Sequence, residues 1–189
     1  MSAAILCGGQ SRRFGRDKSL LTMNGEYLIE RMIKRLSAYP DLMLSVSGAN
    51  SLPSFSGARL VYDKEENCGP MGGLCAILES ARYDTVFVTA CDLPFADSTI
   101  AEALLRHDPD RTADILVPET ADGRLHMVSA IYRKSCLPVI KQQIKAKDYR
   151  LRLLPSLVHA IIVTDLSDDQ KAKLYNVNYP RDWNNILTK

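Results

Sequence analysis

The residue types best suited to chemistry lie near the start of the chain, in a glycine-rich segment that carries several cations. Two adjacent glycines are followed by four positive charges within seven residues, in the order Gly8, Gly9, Arg12, Arg13, Arg16 and Lys18. Glycines let backbone N–H groups approach and surround an anion, and nearby cations add attraction. Glycines or charges alone would fit a tight turn with a solvated basic face. Their combination, directly after a short apolar run, predicts a triphosphate-binding loop.

Two familiar phosphate-binding loops do not fit this segment. A Walker A loop requires glycine before its lysine, but Asp17 precedes Lys18. Gly8, Gly9 and Gly15 do not have the G-x-G-x-x-G spacing of the dinucleotide fingerprint. The loop therefore belongs to another class of nucleotide site.

The elements that must position this loop form an alternating pattern of apolar runs and helix-period segments. Leu28, Met32, Ile33 and Leu36 lie on one helical face, and Asp97 has the side chain of a helix N-cap. Strands are predicted over 3–7, 42–47, 60–62, 85–90, 115–118, 128–132 and 160–163, and helices over 28–36, 72–81, 98–105, 135–144 and 182–187. The rhythm predicts an α/β fold with a mostly parallel, Rossmann-like sheet and helices on both faces. Ligands of such sheets bind at the carboxyl ends of the strands.

Length and composition predict one globular domain over residues 1–189. The net charge of +2 argues against a dedicated nucleic-acid binder. Five cysteines with no C-x-x-C pair argue against a zinc site or a disulfide framework and favour a reducing cytoplasm. No apolar run approaches the roughly 20 residues of a membrane span. The N-terminal residues lack the basic flank of a signal peptide.

A family resemblance is carried by Leu6-Cys7-Gly8-Gly9-x-Ser11-x-Arg13-Phe14-Gly15-x-Asp17-Lys18. This segment resembles the signature L-x-G-G-x-S-x-R-M-G-x-D-K of the MobA-type nucleotidyltransferases, with phenylalanine in place of methionine. The resemblance implies a sheet of the nucleotide-diphospho-sugar transferase type. It also implies that the nucleotide is bound by Leu6, Cys7, Gly8, Gly9, Arg13 and Lys18, with Lys18 catalytic.

Two aspartates follow predicted strands at positions where the MobA-type family also has aspartates. Asp63 precedes Gly69-Pro70-Met71-Gly72-Gly73-Leu74, which resembles the family's D…G-P-L-x-G segment, and its carboxylate can accept two hydrogen bonds from guanine. Asp92 lies in Cys91-Asp92-Leu93-Pro94, similar to the family's C-D-x-P motif, where a carboxylate is a catalytic ligand for Mg²⁺ that also contacts the nucleotide. The structural alternatives are a turn start for Asp63 and a helix or turn cap for Asp92.

Three asparagines complete the set of candidates. Asn176 and Asn178 lie in a segment similar to the family's N-[VI]-N-T-P ending, with Tyr179 in place of threonine, and would bind the acceptor from a strand end. The alternative is a strand followed by a helix with proline in its first turn. Asn50 is the counterpart of a nucleotide-binding asparagine, or a simple turn residue.

The resemblance implies transfer of GMP from GTP to the terminal phosphate of the molybdenum (molybdopterin) cofactor. The products would be molybdopterin guanine dinucleotide and pyrophosphate, with Mg²⁺ as cofactor. Molybdoenzymes and other cofactor-biosynthesis proteins would be transient partners, without nucleic acid or membrane. The alternative is a related nucleotidyltransferase that uses CTP for cytidylyl transfer to molybdopterin, or one that uses another phosphorylated acceptor.

Overall fold

The computed structural model describes residues 1–7, 22–23, 25–47, 54–64 and 67–177, with the side chain of Met23 excepted. The predicted helix over 182–187 lies outside this part of the chain. So do six of the predicted site residues: Gly8, Gly9, Arg13, Lys18, Asn50 and Asn178.

A central sheet organises the described residues. Seven of their strands form it in the order β5-β4-β1-β6-β8-β7-β9. The strands of the chain are β1 (Ser2–Leu6), β2 (Thr22–Met23), β3 (Glu26–Tyr27), β4 (Leu42–Val46), β5 (Arg59–Tyr62), β6 (Thr85–Ala90), β7 (Ile115–Pro118), β8 (Ala130–Arg133) and β9 (Ala160–Val163). Strands β2 and β3 pair as a separate antiparallel hairpin. In the sheet only β8 runs against its neighbours, among the strands described. The predicted mostly parallel sheet is confirmed.

Helices cover both faces of this sheet, because successive strand residues point to opposite sides. Their bounds are α1 (Leu28–Arg35), α2 (Pro70–Ser80), α3 (Ser98–Leu105), α4 (Leu137–Lys145) and α5 (Asp168–Lys173). Ala3 and Ile5 of β1 pack in one core with α1 and α3. Ala4 and Leu6 pack in a second core with α2 and α4. Both faces of β1 are therefore buried, which explains its continuous apolar sequence.

The sequence predicted most elements to within two residues of their bounds. The N-cap role of Asp97 is confirmed, since its carboxylate accepts from the backbone of Thr99. The strand predicted from residue 128 begins at Ala130, because the backbone N–H of Ser129 closes a turn onto His126. The helix predicted over 135–144 begins as a 3₁₀ turn at Lys134–Cys136.

Three elements were not predicted: the β2–β3 hairpin, a 3₁₀ turn at Leu151–Ser156 and helix α5. Helix α5 has no buried residues and hence no apolar periodicity. Its only sequence signal is the capping box between Ser167 and Gln170. None of the helices in the described part of the chain is long and apolar enough to cross a bilayer.

A buried ion pair stabilises the sheet at the last residue of β8. The Arg133 guanidinium lies 2.6 Å from the Asp108 carboxylate, and both side chains are buried. That carboxylate also accepts from the backbone N–H groups of Thr112 and Ala113. Burial alone would raise the pKa of Asp108, but Arg133 and the two backbone donors lower it. Because the pKa is lowered in the folded state, the stabilisation is present at neutral pH and is lost as pH falls through that pKa.

We predict that Arg133→Met lowers the free energy of unfolding by about 3 kcal/mol, because it leaves the Asp108 charge buried without its cation. The control is Arg150→Met, which removes an exposed pair with Asp148 and should change stability far less. Urea denaturation of both variants at neutral pH measures the difference. Equal losses would mean that the buried pair contributes no more than a surface one.

Candidate functional site

The site lies at the sheet edge formed by the carboxyl ends of β1, β4, β5 and β6. Backbone hydrogen bonds extend the sheet past the last strand residues at this edge. Cys7 donates to Ser45 at 2.9 Å, and Asp63 donates to Val46 at 3.0 Å. Past the end of β6, Cys91 likewise donates to the carbonyl of Leu6 at 3.0 Å. The predicted residues Leu6, Cys7, Asp63 and Asp92 are thereby brought to one edge of the sheet.

Asp63 is half-buried directly after β5 and is held by a neighbouring strand. The hydroxyl of Ser45, on β4, donates to its Oδ1 at 2.7 Å. Burial raises the pKa of Asp63 above its ordinary value, and the Ser45 hydrogen bond opposes that rise. The carboxylate is thus oriented by one neutral donor and keeps further lone pairs for a ligand.

Helix α2 approaches this carboxylate closely at Gly73. A Cβ at that position would lie 2.7 Å from the Ser45 Oγ, 2.9 Å from a methyl of Leu6 and 3.5 Å from Oδ1 of Asp63. Real Cβ atoms do not approach other atoms to less than about 3 Å without displacing something. Only glycine therefore lets α2 pack against the ends of β1 and β4 as it does.

The start of α2 faces the same edge. Gly69 precedes the helix with a φ of 57°, a left-handed conformation that favours glycine, and Pro70 occupies the first turn. The first N–H groups of a helix lack intrahelical partners and attract anions. The G-P segment of the sequence thus sets both the beginning and the direction of α2.

Asp92 follows β6 and is tied to the last part of the described chain. Its backbone carbonyl accepts from the N–H of Val177 at 2.8 Å, which brings Asn176 beside it. Asn176 lies in an irregular segment, so its predicted position at a strand end is wrong. Its side-chain Oδ1 is buried and has no hydrogen-bond partner among the described residues. A buried acceptor of this kind is costly unless water or a ligand satisfies it.

The connection from β7 to β8 also lies at this edge, because β7 runs in the same direction as β6. His126 is half-buried there, and its Nε2 lies 3.1 Å from the Thr120 hydroxyl. Burial lowers the pKa of His126 below its ordinary value, so the ring is neutral at pH 7. A neutral imidazole can donate or accept one hydrogen bond at the mouth of the site.

Ser45 and the packing role of Gly73 were missed by the sequence prediction. The signal for Ser45 is its type, since it is the polar residue within the apolar strand Leu42–Val46. A hydroxyl buried in such a strand needs a partner, and Asp63 provides it. No sequence pattern shows that contact, because eighteen positions separate the two residues.

A mostly parallel sheet with aspartates after two of its strands, and a glycine-initiated helix beside them, has the arrangement of an α/β nucleotide-binding domain. The chain belongs to the family of the MobA-like NTP transferase domain, whose model matches residues 3–160.

Relatives and solved structures agree with this assignment. A protein of Halalkalibacterium halodurans named probable molybdenum cofactor guanylyltransferase is 29% identical, over 94% of this chain and 93% of its own length. A protein of the same name from Chloroflexus aggregans is 30% identical, over 96% of this chain and 91% of its own. The crystal structure of molybdopterin-guanine dinucleotide biosynthesis protein A from Archaeoglobus fulgidus matches with a TM-score of 0.86 at 22% identity. That match covers 100% of this chain and 97% of the other, and it confirms the fold.

We predict that Gly73→Ala destabilises the protein although alanine is the better helix former. Overpacking costs about 1–3 kcal/mol, whereas replacing a helical glycine by alanine contributes about 0.5–1 kcal/mol. The contact at 2.7 Å should therefore decide the sign.

The control is Ser80→Ala, at the exposed end of the same helix, where the change should be neutral or slightly stabilising. Thermal unfolding of the two variants is the measurement. An increase in melting temperature for Gly73→Ala that matches the control would show that α2 does not press against Ser45.

Proposed function

We propose that the protein transfers GMP from GTP to the terminal phosphate of the molybdenum (molybdopterin) cofactor, forming molybdopterin guanine dinucleotide and pyrophosphate. The family assignment and the names of its relatives support this proposal. The observation that carries the guanine assignment is the Asp63 carboxylate, fixed by Ser45 beside Gly73 and still able to accept hydrogen bonds. Residues 1–189 would form one domain that acts in the cytoplasm, without nucleic acid or membrane. Molybdoenzymes and cofactor-biosynthesis proteins would be transient partners.

Guanine recognition follows from the chemistry of this carboxylate. Guanine presents an N1–H and an exocyclic amine side by side, and an ionised carboxylate can accept from both. Cytosine and adenine lack that pair of adjacent donors, so part of the Asp63 hydrogen-bonding capacity would stay unused in their complexes. A buried polar group left unmatched costs about 1–3 kcal/mol. The side chain therefore favours GTP over the other triphosphates.

In this proposal the glycine-rich loop after β1 binds the phosphates. Its backbone at Leu6, Cys7, Gly8 and Gly9 would surround the nucleotide, and Arg13 and Lys18 would supply positive charge. A lysine ammonium acts as a flexible point charge on phosphate. Asn50 would add a neutral contact to the nucleotide.

A divalent metal fits the donor set at Asp92, and we assign Mg²⁺ to it. The described residues contain no group of three or more His, Cys, Asp or Glu side chains that could hold a metal by themselves. Mg²⁺ does not need such a cage, since it binds through one or two carboxylates together with waters and substrate phosphates. When bound there, the ion offsets repulsion between the phosphates and stabilises charge on the leaving pyrophosphate.

The acceptor needs alignment more than activation. A phosphate monoester has a second pKa of about 6, so it is largely a dianion near neutral pH and requires no general base. The protein must then hold the acceptor oxygen in line with the α-phosphorus. Asn176 and Asn178 are the residues we propose for this task. Asn176 is suited to it because it lies beside Asp92 and has a buried, unsatisfied amide oxygen.

We predict that Asp63→Asn removes the preference for GTP, because an amide presents a donor where guanine also presents donors. Wild-type protein should bind GTP at least about tenfold more tightly than CTP, ATP or UTP in the presence of Mg²⁺. The variant should bind all four within about threefold of each other. Calorimetric titration measures the affinities, and pyrophosphate release with GTP and molybdopterin tests the transfer. Comparable binding of CTP and GTP by the wild-type protein would replace the guanylyl assignment with a cytidylyl one.

We predict that Asp92→Asn lowers turnover by at least about a hundredfold while the melting temperature stays within about 3 °C, because the amide keeps the shape but not the charge of a metal ligand. The control is Asp84→Asn, an exposed aspartate just before the other end of the same strand, which should keep wild-type rates. Rates are measured at saturating GTP over a Mg²⁺ titration. Near-wild-type turnover in the Asp92 variant would make this carboxylate a turn cap.

A further inference from the structure

Ser45 has a position that the packing of β4 alone does not explain. It is 1% exposed, and the other residues of that strand are apolar and buried. Burying a hydroxyl is costly unless it is hydrogen-bonded, and the Ser45 hydroxyl makes its hydrogen bond to the Asp63 carboxylate at 2.7 Å. Alanine, smaller by that one oxygen atom, would be buried there without that cost, so the contact with Asp63 is the feature that distinguishes serine here.

We propose that Ser45 is a positioning residue for base recognition: its hydroxyl fixes the orientation of the Asp63 carboxylate so that guanine can be told from other bases. The inference rests on the proposed function, in which Asp63 accepts from guanine. Ser45 does not need to touch the nucleotide. It sets the direction and the charge of the group that does.

The stoichiometry of the hydrogen bonds suits this role. An ionised carboxylate offers about four lone-pair sites. The single hydroxyl hydrogen of Ser45 occupies one site on Oδ1, and two N–H donors of guanine can occupy others. Since hydrogen bonds weaken steeply when misaligned, a carboxylate free to rotate would discriminate less between bases.

Gly73 restricts the arrangement from the opposite side. Any side chain at Gly73 would meet the Ser45 Oγ at 2.7 Å before reaching the carboxylate at 3.5 Å. The Ser45 hydroxyl is therefore packed against α2 at Gly73 while it donates to Asp63. Orientation of the carboxylate follows from packing as well as from the hydrogen bond.

The charge of Asp63 depends on Ser45 because the elements around it supply no described cation. Ser45 hydrogen-bonds to the carboxylate, and Gly73 and Leu6 pack beside Ser45; none of the three is ionisable. The adjacent Lys64 pairs instead with Glu79, at 2.7 Å. Among the described residues, the Ser45 hydrogen bond is thus the contact that lowers the pKa of Asp63, against burial that raises it.

The same pair of residue types occurs at the other end of the sheet and provides a matched control. Ser2 is fully buried on β1 and donates to the Asp41 carboxylate at 2.6 Å. Asp41 also accepts from Arg59 at 2.9 Å and from the backbone of Arg82. Deleting the Ser2 hydroxyl removes a buried serine–aspartate hydrogen bond far from the proposed base site.

The experiment compares wild type, Ser45→Ala, Ser2→Ala and Asp63→Asn by calorimetric titration with GTP and with inosine triphosphate, which lacks the exocyclic amine. Ser45→Ala should lower the GTP preference over inosine triphosphate about tenfold. It should also raise the pH at which GTP binding is half lost, because the carboxylate form binds and its pKa rises without the hydroxyl. Ser2→Ala should lose stability but keep wild-type selectivity and pH dependence.

The outcomes separate the two proposals. If Asp63→Asn keeps the wild-type preference for GTP, base recognition by Asp63 is wrong and the role of Ser45 is wrong with it. If Asp63→Asn loses the preference while Ser45→Ala keeps both selectivity and pH dependence, only the positioning role is overturned. If Ser45→Ala does not fold, Ser45→Cys keeps a side-chain donor, although a larger and weaker one, and should show the same losses in smaller measure. Unchanged selectivity and pH dependence in that variant would overturn the role.

Discussion

The close approach of α2 to the sheet at Gly73 is the contact on which the arrangement of the site depends. Without a Cβ there, the helix packs directly over the Ser45 hydroxyl and the end of β1. Gly69 and Pro70 begin the helix, and the contact at Gly73 holds its first turn close to the sheet. The same contact encloses the carboxylate of Asp63. A helix start suited to anions and a carboxylate suited to paired donors are therefore held by one packing constraint.

A hydrogen bond from a buried serine to an aspartate occurs at both edges of the sheet, but the two aspartates have different roles. At the amino edge burial would raise the pKa of Asp41, but hydrogen bonds from Arg59, Ser2 and the Arg82 backbone lower it to about 2. That carboxylate has its hydrogen-bonding capacity filled by the protein, and it stabilises the fold. At the carboxyl edge Asp63 receives one hydroxyl, and its pKa is raised. Of these two carboxylates, Asp63 is therefore the one with unused capacity for a ligand.

The sequence predicted the parts of this structure that are set by local patterns. Strand β6 was predicted with its observed bounds, because a run of β-branched and apolar residues needs both faces buried. The placement of Asp63 after β5 and of Asp92 after β6 followed from the same patterns. The reversal of β8 and the contact between Ser45 and Asp63 were not predicted, because both depend on which distant segments pair. Helix α5 was missed because none of its residues is buried; it is held by a capping box and by contacts of Gln170 and Lys173 with Thr99.

The position of β6 suits Asp92 to the role proposed for it, in which nucleotide and acceptor groups would meet there. After β1 the sheet grows on one side through β4 and β5, and β6 is then added on the other side of β1. In α/β sheets such a reversal of strand order marks the place where ligands bind. The backbone N–H of Cys91 donates to Leu6 at the end of β1, the side proposed for the nucleotide, and the Asp92 carbonyl accepts from Val177 on the side of Asn176. A group at this point can contact both reactants, so in-line transfer is expected across the end of β6 rather than elsewhere along the edge.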